Sequence, residues 1–393
     1  MTTIGEPELH CNMEFLLCFF YLILVPLILL LPLYVLIMFK RSKDGDQLPP
    51  SPPKLPIIGN LHQLREPPHQ ELRKLSQKYG PIMFLQLGSV PTLVISSAEA
   101  AKQVLKTHDL DFCTRPPLAC MKRISHNYLD IACSPYGEYW REIRKICVLE
   151  LLSMKRVKSF KVIREEEVAA MIHSIIPTAT STALIDVFET LASFTNKTIC
   201  RVAFGSKLNQ GIDQFDDGIL RETIDEVMNL VSAFWLSDIF PKVGWIVDRI
   251  SGIHGRIDKC CKNLDKYIQE VIDKHLNPER LKSEHDDLID VFLKLRKSGS
   301  STIRLTNEHI IAILVDVFVA GVDTAAVTMN WAMAELMKNP ASMNRVQEEI
   351  RSHVENNKRK QPREKDLKHF HYLKLVVKET LRLHPPFPLS LPR

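Results

Sequence analysis

The sequence predicts a mainly α-helical body with a small β-sheet region, preceded by an N-terminal transmembrane helix. Three observations predict it. An uncharged apolar run fills residues 15–39, two short strand patterns lie on either side of residue 89, and helical periodicity then continues almost to the end of the chain. The composition is that of a folded protein: of 393 residues, 45% are hydrophobic and 25% charged, which excludes a disordered chain. Lys and Arg total 51 against 46 Asp and Glu, and a net charge of +5 is too small an excess for a nucleic-acid surface. The nine cysteines form no C-x-x-C pair and no Cys/His cluster at zinc spacing, so neither a disulfide framework nor a zinc site is indicated.

The apolar run from Phe15 to Phe39 reads FLLCFFYLILVPLILLLPLYVLIMF. At 1.5 Å per residue it spans about 37 Å, enough to cross a hydrocarbon core of about 30 Å with some tilt. Pro26 and Pro32 bend such a helix without excluding it from a bilayer. Glu6, Glu8 and Glu14 precede the span, and Lys40, Arg41 and Lys43 follow it. The positive-inside bias therefore makes residues 1–14 a short lumenal tail and puts everything after residue 40 in the cytosol. The sequon Asn196-Lys197-Thr198 then lies on the wrong side for glycosylation. Residues 40–60 read as a basic stop and a Pro-rich hinge, with Pro49, Pro50, Pro52, Pro53 and Pro56 forming a stiff extended spacer. The body is then residues 61–393.

Within the body, residues 69–80 have helical spacing and stop at Gly80-Pro81. IMFLQLG and PTLVISS read as a hairpin turned between Gly88 and Pro91. Helical spacing then covers 98–107, 137–151, 157–176, 184–202, 218–234, 256–275, 284–296, 307–338, 341–356 and 373–383. The segment from Glu308 to Met337, capped by Thr306 or Asn307 and stopped at Asn339-Pro340, is the longest of these. It is apolar on nearly every face, as a helix is when buried all round or in a membrane. Asp316, Asp323 and Glu335 make a second membrane span costly, at about 2.5–3.5 kcal/mol for an Asp at a helix centre. It reads as the central helix of the soluble body.

Three constellations could carry chemistry. Ala320-Gly321-Val322-Asp323-Thr324 interrupts the central helix with a glycine that costs about 1 kcal/mol against alanine. A small or flat ligand near the backbone would explain Gly321, and so would close packing of a neighbouring helix. Asp323 and Thr324 place a carboxylate and a hydroxyl where little water is expected, which marks a functional candidate; a Thr bonded back to its own turn is the structural alternative. Glu379 and Arg382, at i,i+3 between apolar neighbours and before Pro385-Pro386, suggest a partly buried fork-shaped pair fixing a chain turn, where a solvated surface pair is the commoner outcome. Trp140 and Arg144, at i,i+4, offer one N–H and a guanidinium fork suited to a carboxylate, or a surface cation–π pair.

In this order and context the motifs resemble those of the membrane-bound cytochrome P450 haem-thiolate monooxygenases, and look most like the plant A-type branch. The residues that carry the resemblance are the anchor, LPPSPPKLPIIGNLHQL, SPYGEYWREIRKICVLELLS, AGVDTAA and KETLRLHPPFPLSLPR. It implies the cytochrome P450 fold and haem b as cofactor, with Trp140 and Arg144 on one propionate and Arg393 reaching the second. It also implies that Ala320 and Gly321 border the cofactor, that Gly321 leaves space for dioxygen, and that Thr324 and Asp323 are catalytic, delivering protons. Glu379 and Arg382 correspond to the family's structural E-x-x-R pair. The implied partners are an NADPH-cytochrome reductase flavoprotein, membrane lipid, dioxygen and a small apolar substrate, with no nucleic acid, on the endoplasmic reticulum membrane. Arg141, Lys145, Lys155, Arg156, Lys158 and Lys161 could dock an acidic reductase, or simply be a solvated helix face.

The family's axial thiolate comes from F-x-x-G-x-R-x-C-x-G, downstream of E-x-x-R, and none of the nine cysteines stands in that context. The expectation is therefore an incomplete fold lacking its C-terminal part, with no protein ligand to a haem metal in residues 1–393 and no activity as written. The alternative is a non-catalytic remnant or regulatory membrane protein without bound haem. Phe234, Trp235 and Phe240 suggest an aromatic wall or ordinary core packing.

Overall fold

A computed structural model describes residues 48–65, 67–179, 184–205, 217–280, 286–299, 302–357 and 361–393. The tail, the anchor at 15–39 and the basic stop lie outside the described residues. The chain divides into two compact units, one up to Lys106 and one from Thr107.

In the first unit, α1 (Pro68–Tyr79) starts on a proline whose missing N–H costs nothing at a helix N-terminus, and it ends at Gly80 with φ 105°. Strands β1 (Ile82–Leu87) and β2 (Val90–Ile95) pair antiparallel, Ile82 opposite Ile95 and Leu87 opposite Val90, as the hairpin signal predicts. Helix α2 (Ala98–Lys102) follows, capped by Ser97, whose side chain accepts from the Ala100 amide. The expected spacer is partly fastened down. The Phe84 amide donates to the Pro50 carbonyl at 2.9 Å, and buried Asn60 donates to the Pro52 carbonyl while accepting from the Gln86 amide. Gly59 turns the chain at φ 61°, where a Cβ would collide with the Gln86 carbonyl, so glycine is required.

The second unit is built of helices joined by loops, with no strand among its described residues. It contains α3 (Ala119–Ile124), α4 (Glu138–Ile146), α5 (Lys161–Ala179), α6 (Val187–Phe204), α7 (Asp217–Ser232), α8 (Gly244–Ile250) and α9 (Ile253–Leu276). Then come α10 (Leu288–Ser298), α11 (Asn307–Gly321), α12 (Asp323–Lys338), α13 (Pro340–Asn356) and α14 (His371–Leu383). Short turns at Asp109–Phe112, Met154–Ser159 and Leu236–Ile239 connect them. The core gathers around α11, whose Ile310, Ile311, Ile313, Leu314, Val315 and Phe318 pack with Phe204 of α6 and Ile257, Ile268 and Ile272 of α9. Phe318 stacks on Phe204 with centroids 4.9 Å apart. The sequon lies in this packing: Asn196 is buried in α6 and the Thr198 hydroxyl donates to the Phe194 carbonyl at 2.8 Å.

Two sequence expectations need correction. The helix expected over 307–338 is two helices, because Val322, at φ −80° and ψ −67°, interrupts the ladder. It is also not buried all round: Ala320, Ala325 and Trp331 reach the surface. Of the two readings of Phe234, Trp235 and Phe240, ordinary core packing holds for Trp235. Trp235 is 3% exposed in the core with its indole N–H on the Leu230 carbonyl, whereas Phe234 is 63% exposed, since consecutive residues leaving a helix point opposite ways.

Candidate functional site

The central pair of helices supplies one wall. Thr306 caps α11 through its side chain and the His309 amide, and six consecutive residues from Ile310 to Val315 are buried. A rod anchored so firmly gives a rigid base to whatever stands at its interruption. Ala320 is exposed and Thr324, one turn on, is half-buried. The Thr324 hydroxyl donates to the Ala320 carbonyl at 2.5 Å, and the Thr328 hydroxyl repeats this toward Thr324 at 2.7 Å. A hydroxyl bonded back to its own turn keeps its lone pairs open outward and rotates to donate to an arriving acceptor.

Gly321 faces another way. A Cβ there would lie 2.9 Å from Ile199 Cδ1, so the glycine admits α6 against the helix interruption. Asp323 is half-buried rather than dry, and burial raises its carboxyl above the usual carboxylate range, with the Arg221 guanidinium pulling it back. Arg221 itself ion-pairs with Glu189 of α6. Asp323 therefore belongs to a charged cluster joining α6, α7 and α12, in which its charge also pushes up Asp225.

On α4, the Arg144 guanidinium stands 4.9 Å from the Trp140 ring centroid, the cation–π arrangement. The Trp140 indole N–H is taken by the Ile131 carbonyl at 3.0 Å. Arg144 is exposed and, among the described residues, has no carboxylate partner. Arg393 has one, Asp109, at 2.8 Å. Arg115 ties the last residues down by donating to the carbonyls of Leu391 and Pro392, and its Nε donates to the Ala132 carbonyl. Glu379 and Arg382 form the expected fork, at 2.8 and 2.6 Å, but the side chains are 55% and 66% exposed. The pair is a surface pair within α14 and not a partly buried one, although Glu379 lines the cleft that α14 forms with Leu336 and Ser342.

These residues fit part of the implied haem. The small-residue face at Ala320 and Thr324 leaves room beside the helix, and Arg144 offers a free fork to a carboxylate. They do not fit its metal. None of the nine cysteines stands in the family's axial-ligand motif, and burial raises the thiols of Cys120, Cys133, Cys147, Cys260 and Cys261, as in core cysteines.

Sequence reading missed one group. Asp130 and Asp316 meet inside the protein, and the Asp316 carboxylate accepts from the amides of Ile131 and Ala132 at 2.9 and 3.2 Å. The available signal was Asp316 itself, an acid in an apolar stretch, but nothing in the sequence names its partner 186 positions away.

The family described as Cytochrome P450 matches residues 49–393. The chain is 44% identical over 369 residues to Cytochrome P450 71B22 of Arabidopsis thaliana, covering 93% of this chain and 73% of that one. It is 42% identical over 394 residues to Strychnine-11-hydroxylase of Strychnos nux-vomica, covering 98% and 74%. A solved zebra fish cytochrome P450 structure with progesterone superposes with a TM-score of 0.66 at 23% identity, over 82% of this chain and 71% of that chain.

Proposed function

The chain belongs to the cytochrome P450 family, and on that premise we propose that it is the membrane-anchored body of a haem-dependent monooxygenase acting on a small apolar plant specialised metabolite. The observation that carries the reading is the outward face of Ala320 and Thr324 just beyond the buried stretch Ile310 to Val315 of α11. Bound haem supplies activation of dioxygen and insertion of one oxygen atom into the substrate.

The chain's residues have their own tasks in this reading. Arg144 holds a carboxylate at the cofactor edge, stiffened by the Trp140 ring beneath it. Gly321 keeps the backbone slim at the helix interruption, and Ala320 keeps the wall beside it low. Thr324 turns its hydroxyl from the Ala320 carbonyl to a bound acceptor and so places a proton; Asp323, with a raised carboxyl at half-burial, replenishes it. Arg393 steadies the chain end through Asp109, and Glu379 with Arg382 stiffens α14.

The uncharged run at 15–39 supports a single pass through the endoplasmic reticulum membrane with the body in the cytosol. Electrons come from a reductase flavoprotein. Docking rests on Arg141, Lys155 and Lys158, since Lys145 and Lys161 face Glu142 and Glu165 at 3.7 and 3.6 Å and Arg156 turns to the Asp286 carbonyl. A relative named for hydroxylating strychnine supports the substrate class.

The test compares two proteins, each reduced and exposed to carbon monoxide. Residues 1–393 alone are expected to give no thiolate-type Soret band, because none of their cysteines stands in the family's ligand motif. The same residues joined to the Cys-bearing loop of a relative are expected to give one. A band from the first, or none from the second, overturns the reading.

A further inference from the structure

Two carboxyl groups, buried Asp130 from the chain before α4 and half-buried Asp316 from the middle of α11, face each other. Asp130 is 2% exposed, and its Oδ2 accepts from the Cys133 amide at 3.0 Å. Its Oδ1 is buried and meets no donor. Asp316 lies beside it, its Oδ2 on the amides of Ile131 and Ala132, the two residues that follow Asp130. Among the described residues no cation forms an ion pair with either acid: Arg115, which feels the Asp130 charge, turns its hydrogen bonds to the carbonyls of Ala132, Leu391 and Pro392. The other titratable groups facing the pair are Tyr128, Cys133, Tyr139 and Cys147, none of which carries positive charge. Two adjoining carboxylates in so dry a place cannot both be ionised. One proton between them removes the repulsion and gives the orphan oxygen its partner.

The same acid organises the backbone beside it. One Asp316 oxygen takes the amides of both Ile131 and Ala132. The carbonyls of those two residues go to the Trp140 indole and the Arg115 guanidinium. All four polar groups of a two-residue segment are thereby assigned, and Asp316 reaches Trp140 through the single residue Ile131. Trp140 in turn carries the Arg144 guanidinium.

The geometry points to Asp130 and Asp316 as a pair sharing one proton, with Asp316 as a positioning residue that sets Trp140 and Arg144 through the Ile131–Ala132 segment. The positioning half rests on the reading of Arg144 as a cofactor-carboxylate seat. Burial, and for Asp316 the Asp130 charge, raise both acids above the ordinary carboxylate range. The folded state therefore holds a proton that the unfolded chain releases, and the pair's contribution falls as pH rises from the ordinary carboxylate value through the folded one.

The test measures amide hydrogen exchange at Ile131 and Ala132 across pH, with infrared detection of a protonated carboxyl, in the full chain. In the unaltered protein, one protonated carboxyl persists at neutral pH, and exchange at the two amides speeds up beyond the expected base catalysis once it is lost. Asp316→Asn retains an acceptor for the amides and donates to Asp130, so it abolishes the infrared signal and the extra pH dependence while exchange stays slow. Asp316→Ala speeds exchange at both amides by at least about tenfold, the scale of a lost hydrogen bond to a charged group. Absence of a protonated carboxyl at neutral pH, or unchanged pH dependence in Asp316→Asn, overturns the shared proton. The carboxylate seat is judged separately by titrating haemin and its dimethyl ester. Equal affinity for the two overturns the seat and does not touch the exchange result, whereas a preference for haemin that survives Asp316→Ala undiminished overturns the positioning role.

Discussion

Ile199 of α6 fills the space beside Gly321 where a side chain would begin, its Cδ1 2.9 Å from the position of a Cβ. The glycine thus has a packing reason inside the very motif that invites a ligand reading. Beside it Ala320 and Ala325 are exposed and Thr324 is half-buried.

Gly321→Ala sets two effects against each other. Alanine favours the helix by about 1 kcal/mol, and forcing a methyl into a filled site costs about 1–3 kcal/mol. The expected net loss is about 1 kcal/mol, read from urea denaturation midpoints. Ile199→Val removes Cδ1, so in that background the same change is expected to become neutral or stabilising. An equal loss in both backgrounds would show that Ile199 is not the obstacle.

Thr324→Ala removes one half-buried hydroxyl and its hydrogen bond to the Ala320 carbonyl, which faces outward where water can replace it, so the fold is expected to tolerate it with a stability change within about 1 kcal/mol. In residues 1–393 joined to the Cys-bearing loop of a relative, loaded with haem and supplied with reductase, product formed per electron consumed is expected to fall by at least about tenfold, the scale of a placed proton donor. Thr324→Ser keeps the hydroxyl and is expected to retain most of the coupling. Undiminished product per electron in the alanine variant counts against proton placement.

His126, Asn127 and Tyr128 take φ of 50°, 62° and 67° in succession, a left-handed turn that costs about 1–2 kcal/mol per residue without a glycine. His126 is held at this turn by Asp265 of α9, 2.9 Å from its Nε2, and that hydrogen bond raises the imidazole above 6.5. The folded state binds the proton more tightly than the unfolded chain. The contribution is therefore complete below 6.5 and lost as pH rises through the raised value. Denaturation midpoints followed across neutral pH are expected to fall through that window, and Asp265→Asn to flatten the fall. An equal slope in both proteins would remove the latch.

Local signals proved sufficient where they were complete within a few residues. The stop at Gly80, the hairpin of β1 and β2, the Thr306 cap and the Asn339-Pro340 stop all appear where spacing and turn chemistry put them. The interruption at Val322 gave no such sign, because no proline or capping side chain marks it; α6 packs there against a glycine. The short turns at Leu236–Ile239 and the helix α8 were likewise unread, their apolar residues being too few to show a period.

The sequence by itself determined the family, the helical body with its single hairpin, the motif residues at 140–144, 320–324 and 379–382, and the apolar run at 15–39. Those features depend on residue type and on neighbours within a turn or two. Only the tertiary structure decided which motif residues remain free to meet a ligand: Arg144 does, while the Trp140 indole and Arg393 are already engaged. It alone brought Asp130 to Asp316. Burial and hydrogen-bond satisfaction are properties of what surrounds a group in space, and the chain meets those surroundings only when segments nearly two hundred residues apart pack together.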